Sequence, residues 1–520
     1  MSQVPGGLRT SLAMPEHGAS AWLFHRAELT PDVEAIVDGR RRLTYAQLAE
    51  HARRAAGLLH GLGVARHDRV ATLTSNCVEF MELFYATAEI GAILVPLNFR
   101  LAAPELDYQI RDSDAELLFV GQEQAPLADQ LARDLPLRTR IDLAEEYPRR
   151  RDATDPLSAD AGRAAFSDPH LILYTAGTTG HPKGAVLTHA NTYWNVANMS
   201  IAVSLSANDT TATILPMFHS GGIGLFTVPT LTVGGRVIVQ RKFDPADLLD
   251  IMRRERVSVC LGVPAIWLDM LKMPEFTAAN LPDLRYLASG GAPCPTSVID
   301  EIAARGFVFL QGYGLTETSP GGTLIPVPDW RRKSGTVGKS MAFVELRVVR
   351  DDGTPCDARA IGEVQFRGPN VFVGYWNAPA ATAEAFTHDG WFRSGDLGFV
   401  DDEGFLTLVD RKKDMVITGG ENVYSAEVED VLFAHTAVAE AAVIGVPDER
   451  WGEAVCAVVA LRPNAKASAD ELIAHCRARL AKYKTPKYVA FVNSLPRNAA
   501  GKVLKRQLRE EVRIREKIIS

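Results

Sequence analysis

The stretch YTAGTTGHPKGAVLTH, residues 174–189, decides the fold class of this chain. It overlaps the apolar run LILYT at 171–175, which lacks the alternating pattern of a half-exposed strand and is typical of a parallel strand buried on both faces. The segment after the loop can be helical, and a loop between a strand and a helix lies where α/β sheets bind phosphates. The stretch therefore predicts a phosphate-binding loop at the edge of a parallel sheet.

The composition of this loop indicates an anionic ligand. Its glycines allow the backbone to turn tightly and point N–H groups at an anion, while its threonines add hydroxyl donors and its lysine adds a positive charge. It is not a Walker A loop, because Lys183 is followed by Gly184 and Ala185 instead of Ser or Thr. The residues expected to contact phosphate are Thr175, Gly177, Thr178, Thr179, Gly180, Lys183 and Gly184.

Strand and helix patterns alternate on both sides of the loop. The runs RVATLTSN (from Arg69) and AILVPLN precede it, and TATIL, RVIVQ, VSVCLG, LRYLAS and FVFLQ follow it. This alternation predicts a doubly wound α/β body. After about Gly335, short strands joined by DDG and DEG turns predict a small antiparallel β-barrel. After Arg411 the pattern predicts a small α+β domain, with a capping box at Ser468 and Glu471.

Composition excludes several classes of protein. The 520 residues contain 56 Lys and Arg against 63 Asp and Glu, so the net charge of −7 argues against nucleic acid as the main partner. The six cysteines form no CxxC pair, which predicts neither a disulfide framework nor a zinc site. We find no signal peptide and no apolar run of 18 residues, so we expect a cytoplasmic protein without an integral membrane segment.

Six motifs in order resemble the adenylate-forming superfamily of acyl- and aryl-CoA synthetases, carrier-protein adenylation domains and luciferases. Besides the loop at 174–189 they are QGYGLTET (311–318), GYWNAP (374–379), DGWFRSGDLG (389–398), DRKKDMVITGGENVYSAEVE (410–429) and PRNAAGKVLK (496–505). The sequence of the chain is most similar to those of bacterial fatty-acid and hydroxycinnamate-type CoA ligases. The resemblance implies an AMP-binding N-terminal domain at 1–410, a hinge at 411–413 and a mobile C-terminal lid domain at 414–520.

The resemblance also implies a reaction in two halves. A carboxylate attacks the α-phosphorus of ATP to give acyl-AMP and pyrophosphate, and the thiol of CoA then displaces AMP. Both halves move negative charge between oxygen atoms, so the enzyme needs cations and hydrogen-bond donors more than a nucleophile of its own. ATP, Mg²⁺ and CoA are therefore the expected cosubstrates and cofactor.

Residue roles follow from the resemblance position by position. Glu317 and Thr175 are the expected Mg²⁺ ligands, Thr316 a donor to the α-phosphate, and Lys502 the cation that reaches the reacting phosphate. Asp396 is expected to accept hydrogen bonds from both ribose hydroxyls. The remaining nucleotide contacts implied are Gly291, Ala292, Gly312, Tyr313, Gly314 and Arg411.

Further positions are implied for the acyl group, the hinge and CoA. His219, Gly222, Gly290 and Gly291 correspond to the acyl pocket, although packing is an equally good interpretation of His219. Lys413 corresponds to the hinge, about which the small domain turns between the half-reactions. The expected CoA contacts are Gly419, Gly420 and Trp451, with edge packing as the alternative for Trp451.

The leading hypothesis is a stand-alone acid–CoA ligase, because the chain ends 18 residues after Lys502. The alternatives are an acyl-AMP ligase that loads a separate acyl carrier protein and a light-emitting oxygenase, which is disfavoured because the chain ends Ile-Ile-Ser without a peroxisomal tripeptide. No charged residue is identifiable as a determinant for a second polar group on the acid, and the glycine pairs at 221–222 and 290–291 suggest a roomy apolar pocket. A medium- or long-chain fatty acid is the predicted substrate, and an aryl or polycyclic acid is the alternative.

Overall fold

The structure is a computed structural model that describes residues 18–157, 164–175, 182–292, 294–412, 414–418, 421–448, 450–497 and 503–511. The described strands are β1 (Glu34–Asp38), β2 (Arg41–Thr44), β3 (Arg69–Leu73), β4 (Ile93–Pro96), β5 (Leu117–Val120), β6 (Thr139–Asp142), β7 (Pro169–Thr175), β8 (Lys183–Thr188), β9 (Thr210–Thr213), β10 (Arg236–Val239), β11 (Val259–Gly262), β12 (Tyr286–Ser289), β13 (Phe309–Tyr313), β14 (Thr323–Leu324), β15 (Lys339–Ser340), β16 (Glu345–Val349), β17 (Gly362–Arg367), β18 (Gly374–Tyr375), β19 (Phe392–Val400), β20 (Leu406–Arg411), β21 (Val416–Thr418), β22 (Glu421–Val423), β23 (Val438–Asp448), β24 (Gly452–Leu461) and β25 (Tyr488–Phe491).

The described α-helices are α1 (Ser20–Leu29), α2 (Tyr45–Gly61), α3 (Val78–Ile90), α4 (Ala103–Ser113), α5 (Ala125–Ala128), α6 (Glu146–Asp152), α7 (His189–Ala202), α8 (Ser220–Gly224), α9 (Thr227–Val233), α10 (Pro245–Arg254), α11 (Pro264–Leu271), α12 (Pro274–Thr277), α13 (Thr296–Ala304), α14 (Pro379–Ala385), α15 (Ser425–Phe433) and α16 (Ala469–Arg477). Short 3-10 helices cover Gln122–Gln124, Thr316–Thr318, Val327–Asp329 and Lys482–Lys484. Within the described ranges, no helix is long and apolar enough to cross a membrane.

Two large sheets form the N-terminal body. One has the strand order β18-β8-β7-β4-β3-β5-β6, and the other has the order β15-β14-β13-β12-β11-β9-β10-β1-β2. Their central strands are parallel and almost wholly buried, as the short apolar runs predicted. One apolar cluster includes residues of both sheets and of α2 and α3, so these helices pack between the two layers. The predicted mixed α/β fold, with a large N-terminal domain and a separate C-terminal domain, is confirmed.

The helix expected after the stretch at 174–189 is α7, but residues 183–188 within that stretch form a strand that was not predicted. β8 pairs antiparallel with β7, from Lys183 opposite Thr175 to Thr188 opposite Pro169. Five of its six residues are buried, because β8 is covered on both faces and is paired on its other side with β18. The helix α7 begins only at His189, where the Thr188 side chain accepts a hydrogen bond from the backbone N–H of Asn191.

The predicted small barrel is an open sheet in residues 345–411. Four antiparallel strands pair in the order β16-β17-β19-β20, and the edge strands β16 and β20 do not pair with each other. Without that pairing the sheet does not close into a barrel. The sheet instead buries Val364, Phe366 and Leu406 against the main apolar cluster.

The C-terminal domain is a small sheet covered on both faces. β22, β21, β24 and β23 are antiparallel neighbours, and β25 adds a parallel strand to β24. The helices α15 and α16 cover one face, where Val428, Leu432 and Leu472 are fully buried. Ser468 caps α16, because its hydroxyl accepts a hydrogen bond from the backbone N–H of Glu471.

Candidate functional site

A cavity of about 860 Å³ opens at the carboxyl ends of β7, β9, β11, β12 and β13. This is the edge of a parallel sheet where α/β proteins bind ligands, because loops from neighbouring strands converge there. The cavity brings together most of the predicted site residues that the structure describes. They are Thr175, Lys183, His219, Gly222, Gly290, Gly291, Gly312, Tyr313, Gly314, Thr316, Glu317, Asp396 and Arg411.

Three predicted residues in the described ranges do not line this cavity. Gly184 lies in β8, where a Cβ atom would come within 2.6 Å of the Ile172 side chain, so packing accounts for this glycine. Ala292 follows the lining residues 290–291, and Trp451 is 44% exposed in the C-terminal domain. Eight predicted residues lie outside the described part of the chain: Gly177, Thr178, Thr179, Gly180, Lys413, Gly419, Gly420 and Lys502.

One end of the cavity carries a buried carboxylate with partners on both oxygens. The Tyr313 hydroxyl donates to Oδ2 of Asp396 at 2.6 Å, and Nε of Arg411 lies 3.3 Å from Oδ1. The antiparallel register of β19 and β20 places Asp396 directly opposite Arg411. Burial, and then the adjacent Asp396 charge, raise the pKa of Tyr313 well above its usual value, so this phenol stays a donor. Each Asp396 oxygen keeps a further lone pair, which suits two vicinal hydroxyl groups.

A second carboxylate, Glu317, lines the same cavity and is 7% exposed. Burial raises the pKa of Glu317, while a hydrogen bond from the Tyr375 hydroxyl to Oε1 at 2.9 Å opposes that rise. The Lys183 ammonium lies 5.3 Å from the centre of the Tyr375 ring. The neighbouring Thr316 hydroxyl is 3.3 Å from the Ser220 hydroxyl. A carboxylate, an ammonium and hydroxyl groups thus face one space. The ammonium and the hydroxyl groups suit phosphate oxygens, and the carboxylate suits a metal ion bound to them.

These residues fit a magnesium ion that shares its coordination with phosphate oxygens. Mg²⁺ prefers hard oxygen ligands and is usually held by one or two carboxylates together with substrate phosphates and waters. The Glu317 carboxylate and the Thr175 hydroxyl both line the cavity and supply such oxygens. In the described ranges, no group of three or more His, Cys, Asp or Glu side chains could hold a metal by itself. The protein's ligand set therefore suits a metal that arrives with a nucleotide.

The other end of the cavity is apolar and contains one buried imidazole. Burial, followed by the nearby charge of Arg100, lowers the pKa of His219 to about 4, so the ring is neutral near pH 7. Nε2 of His219 is buried and has no hydrogen-bond partner among the described residues. The centre of the Phe218 ring lies 4.6 Å from the centre of the His219 ring. The apolar side chains along the cavity wall are Met199, Ile214, Leu215, Leu225, Phe226, Phe243, Leu261, Val263, Ile266, Leu324 and Met341.

The glycines of the cavity wall differ in the reason for their small size. A Cβ atom at Gly222 would lie 2.2 Å from the carbonyl oxygen of Pro216, so this glycine is required by a close backbone approach. Gly291 has a φ of +79°, which favours glycine irrespective of space. At Gly221 and Gly290 a Cβ atom would make only ordinary contacts, at 3.8 Å and 3.4 Å. A Cβ atom would therefore fit at Gly221 and at Gly290, so at these positions the missing side chain adds room to the cavity.

The sequence analysis missed Arg100 and Tyr375, both of which line the cavity. Arg100 follows β4, whose carboxyl end lies beside that of β7. Arg100 is thus a charged residue of the cavity wall that the sequence analysis did not identify. Tyr375 belongs to β18, which reaches the site by pairing with β8. The position of Arg100 just after a buried strand was a usable signal, whereas the pairing that places Tyr375 is not visible in the sequence.

Comparison with known proteins agrees with this geometry. Residues 23–376 match the family model of the AMP-binding enzymes, and residues 427–502 match that of the AMP-binding enzyme C-terminal domain. The chain is 40% identical to a feruloyl-CoA synthase of Amycolatopsis sp., covering 95% of this chain and 99% of that protein. It is also 40% identical to the long-chain-fatty-acid–CoA ligase FadD13 of Mycobacterium tuberculosis, covering 94% and 98%.

Solved structures give the same result. The o-succinylbenzoate CoA synthetase of Bacillus subtilis, in complex with ATP and a magnesium ion, superposes with a TM-score of 0.84 at 31% identity. The match covers 94% of this chain and 98% of that chain. Full-length agreement in both sequence and fold accompanies a cavity suited to a nucleotide, magnesium and an acid. The chain belongs to the AMP-binding enzyme family, as an AMP-forming acid–CoA ligase whose reaction uses ATP, Mg²⁺ and CoA.

Proposed function

We propose that the enzyme activates a hydrophobic carboxylic acid, with medium- or long-chain fatty acids preferred, and transfers the acyl group to CoA. The observation that carries this proposal is the apolar cavity wall, in which Gly221 and Gly290 add room because they lack a side chain. Burying apolar surface in such a pocket contributes roughly 0.8 kcal/mol per methylene group, so each added carbon that fits favours a longer chain.

Asp396 is proposed to accept hydrogen bonds from the 2′- and 3′-hydroxyls of the ATP ribose. Tyr313 and Arg411 hold the carboxylate in place for this task. The purine is proposed to lie beside Tyr313, where Gly312 and Gly314 also line the cavity. A Cβ atom at Gly314 would lie 1.8 Å from the Pro320 carbonyl oxygen, so the chain can follow this course only with glycine there.

Glu317 and Thr175 are the proposed protein ligands of Mg²⁺, and Lys183 and Thr316 the proposed donors to phosphate oxygens. When bound, Mg²⁺ supplies charge neutralisation on the phosphates during pyrophosphate release. The chain's own donors hold the α-phosphate in line with the incoming carboxylate. Lys502, which lies outside the described residues, is the proposed cation at the reacting phosphate.

His219 is proposed to orient the acid. Its neutral ring can donate a hydrogen bond from Nε2, which is otherwise unpartnered within the described ranges, to one carboxylate oxygen. The other carboxylate oxygen then attacks the α-phosphorus, the bond to pyrophosphate breaks, and acyl-AMP forms. A neutral donor suits this step because it holds the carboxylate without taking up the negative charge needed for attack.

The second half-reaction is proposed to follow a turn of the C-terminal domain about Lys413, between domains at 1–410 and 414–520. The CoA thiol then attacks the acyl carbonyl, AMP leaves, and Gly419 and Gly420 line the path of the pantetheine arm. Trp451, which is exposed and contacts the Arg450 guanidinium at 4.6 Å, is the proposed contact for the CoA nucleotide. Because ATP and CoA are both cytoplasmic metabolites, we propose that the enzyme acts in the cytoplasm.

An aryl acid is the second candidate substrate. The Phe226 ring in the cavity wall could stack against an aromatic acid, and the feruloyl-CoA synthase relative is as similar to this chain as the fatty-acid relative. An acyl carrier protein is the alternative acceptor to CoA, and the C-terminal domain would then have to receive a protein-bound thiol.

The test is an acid-dependent pyrophosphate-release screen with saturated acids of six to sixteen carbons and with benzoate, cinnamate and ferulate. Each acid is assayed alone, with CoA, and with phosphopantetheinylated carrier protein. We expect kcat/KM to rise with aliphatic chain length and thioester to form with CoA. A preference for ferulate over every fatty acid would replace the proposed substrate class, and thioester formed only on the carrier would replace the acceptor.

A further inference from the structure

Tyr375 touches two different parts of the phosphate-binding end of the cavity. Its hydroxyl donates to Oε1 of Glu317 at 2.9 Å, and its ring faces the Lys183 ammonium at 5.3 Å from the ring centre. An ammonium within about 6 Å of an aromatic ring centre is attracted to the face of that ring. A single side chain therefore fixes the spacing between a carboxylate and a cation that belong to distant segments of the chain.

The backbone around Tyr375 is held firmly. Gly374 and Tyr375 pair with Val186 and Ala185 of β8, the strand that begins at Lys183. The backbone N–H of Tyr375 donates to the Thr382 hydroxyl at 2.9 Å. The phenol thus approaches Glu317 from a rigid support and not from a free loop.

Glu317 is held from the same side by a second contact. The backbone N–H of Phe372, three residues before Tyr375, donates to the Glu317 carbonyl oxygen at 2.8 Å. The Phe372 ring packs edge-on against the Tyr375 ring at 4.9 Å. The segment 372–375 therefore fixes both the backbone and the carboxylate of Glu317.

We infer that Tyr375 is a positioning residue that orients the Glu317 carboxylate toward Mg·ATP and sets its distance from Lys183. This inference rests on the proposed role of Glu317 as a magnesium ligand. Carboxylates that bind a metal are commonly held by an outer hydrogen bond, and losing such a partner costs roughly 10- to 100-fold in metal affinity or activity. Tyr375 leaves one Glu317 oxygen, Oε2, without this constraint, so the metal and the phenol can use different oxygens.

The test compares Tyr375→Phe with the wild type by calorimetric titration of Mg·ATP and, separately, of AMP without metal. Phenylalanine keeps the ring and its contact with Lys183 and removes only the donor to Glu317. We expect Mg·ATP affinity to fall roughly 10- to 100-fold and AMP affinity to stay within about twofold, because Asp396 and Arg411 are untouched. Tyr286→Phe is the matched control, since it removes a buried phenol hydrogen bond to the Val203 carbonyl, outside the cavity.

A double-mutant cycle shows whether Tyr375 acts through Glu317. In a Glu317→Gln background, Tyr375→Phe should change Mg·ATP affinity by less than about twofold. An undiminished effect there, or unaltered Mg·ATP affinity in the single Tyr375→Phe variant while Glu317→Gln weakens it, would overturn the inference and leave the proposed function standing. Unaltered Mg·ATP affinity in Glu317→Gln itself would overturn the metal role of Glu317 and the inference with it.

Discussion

Asp396→Asn is the substitution that isolates the proposed ribose contact. The carboxylate accepts from the Tyr313 hydroxyl through Oδ2 and faces Arg411 through Oδ1. Asparagine keeps one acceptor oxygen for Tyr313 but replaces the other with a donor. Alanine would be less informative, because it leaves a buried phenol without an acceptor, at a cost of about 1–3 kcal/mol in stability.

The expected size of the effect follows from the hydrogen bonds removed. A hydrogen bond to a charged acceptor contributes about 1.5–3 kcal/mol, and Asp396→Asn removes at least one such bond to a ribose hydroxyl. Each ~1.4 kcal/mol is a factor of ten, so the KM for ATP should rise roughly 10- to 150-fold. The turnover number should change much less, because the ribose contact is equally strong in the ground state and the transition state.

The assay is pyrophosphate release with ATP and with 2′,3′-dideoxy-ATP, each at saturating acid and CoA. Wild type should favour ATP strongly, and Asp396→Asn should lose most of that preference because the contact to the hydroxyls is already weakened. Asp389→Asn is the control, since this exposed carboxylate in the same motif pairs with Arg347 and does not line the cavity. If Asp396→Asn weakened both nucleotides by the same factor, the residue would act on the fold and not on the ribose.

Three further predictions concern the acyl pocket, acid stability and domain motion. Gly221→Leu should shift the substrate preference toward shorter acids. In a series of acids of increasing chain length, kcat/KM should fall about fourfold for each methylene group that no longer fits. Gly221→Ala should change this preference little, because a Cβ atom there makes only 3.8 Å contacts. Burial lowers the pKa of His170 to about 4. Below pH 6.5 the unfolded chain therefore binds a proton at this residue that the folded chain does not bind. The free energy of unfolding should fall as the pH drops from 6.5 towards 4, and at pH 5.5 it should be about 1.4 kcal/mol lower than at neutral pH. Urea unfolding at pH 7.5 and at pH 5.5 should show a smaller difference in the free energy of unfolding for His170→Gln than for the wild type. The same difference in both proteins would contradict the prediction. Lys502→Ala should slow acyl-AMP formation by two to three orders of magnitude, about 3–4 kcal/mol, yet leave thioester formation from synthetic acyl-AMP near the wild-type rate. Lys413→Pro should leave acyl-AMP formation largely intact and slow thioester formation. If each variant lost both half-reactions equally, domain alternation would be contradicted.

The buried parallel strands were predictable because each is a short apolar run that needs no distant partner to be recognised. The strand at 183–188 was not, since its pairing with β7 and β18 comes from contacts that a local pattern does not contain. Propensity is a weak guide wherever such tertiary pairing decides the conformation.

The candidate site was predictable to the extent that its residues lie in ordered motifs, as Glu317 and Asp396 do. The meaning of its glycines was not predictable. A Cβ atom at Gly222 would clash with the Pro216 carbonyl oxygen, whereas a Cβ atom at Gly221 would fit. The two glycines are neighbours in the sequence, so the pattern alone does not distinguish them. Arg100 follows a buried strand, which was a usable signal, whereas Tyr375 reaches the cavity through the pairing of β18 with β8, which the sequence does not show.

The most direct test of the account follows the oxygen atoms of the acid. The enzyme is incubated with a fatty acid labelled with ¹⁸O in its carboxylate, together with ATP, Mg²⁺ and CoA, and the products are analysed by mass spectrometry. One carboxylate oxygen attacks the α-phosphorus and stays on that phosphate when the CoA thiol takes the acyl group and AMP leaves. The AMP should therefore carry one ¹⁸O and the pyrophosphate none. Label in pyrophosphate or inorganic phosphate, or unlabelled AMP beside newly formed acyl-CoA, would contradict the acyl-adenylate reaction.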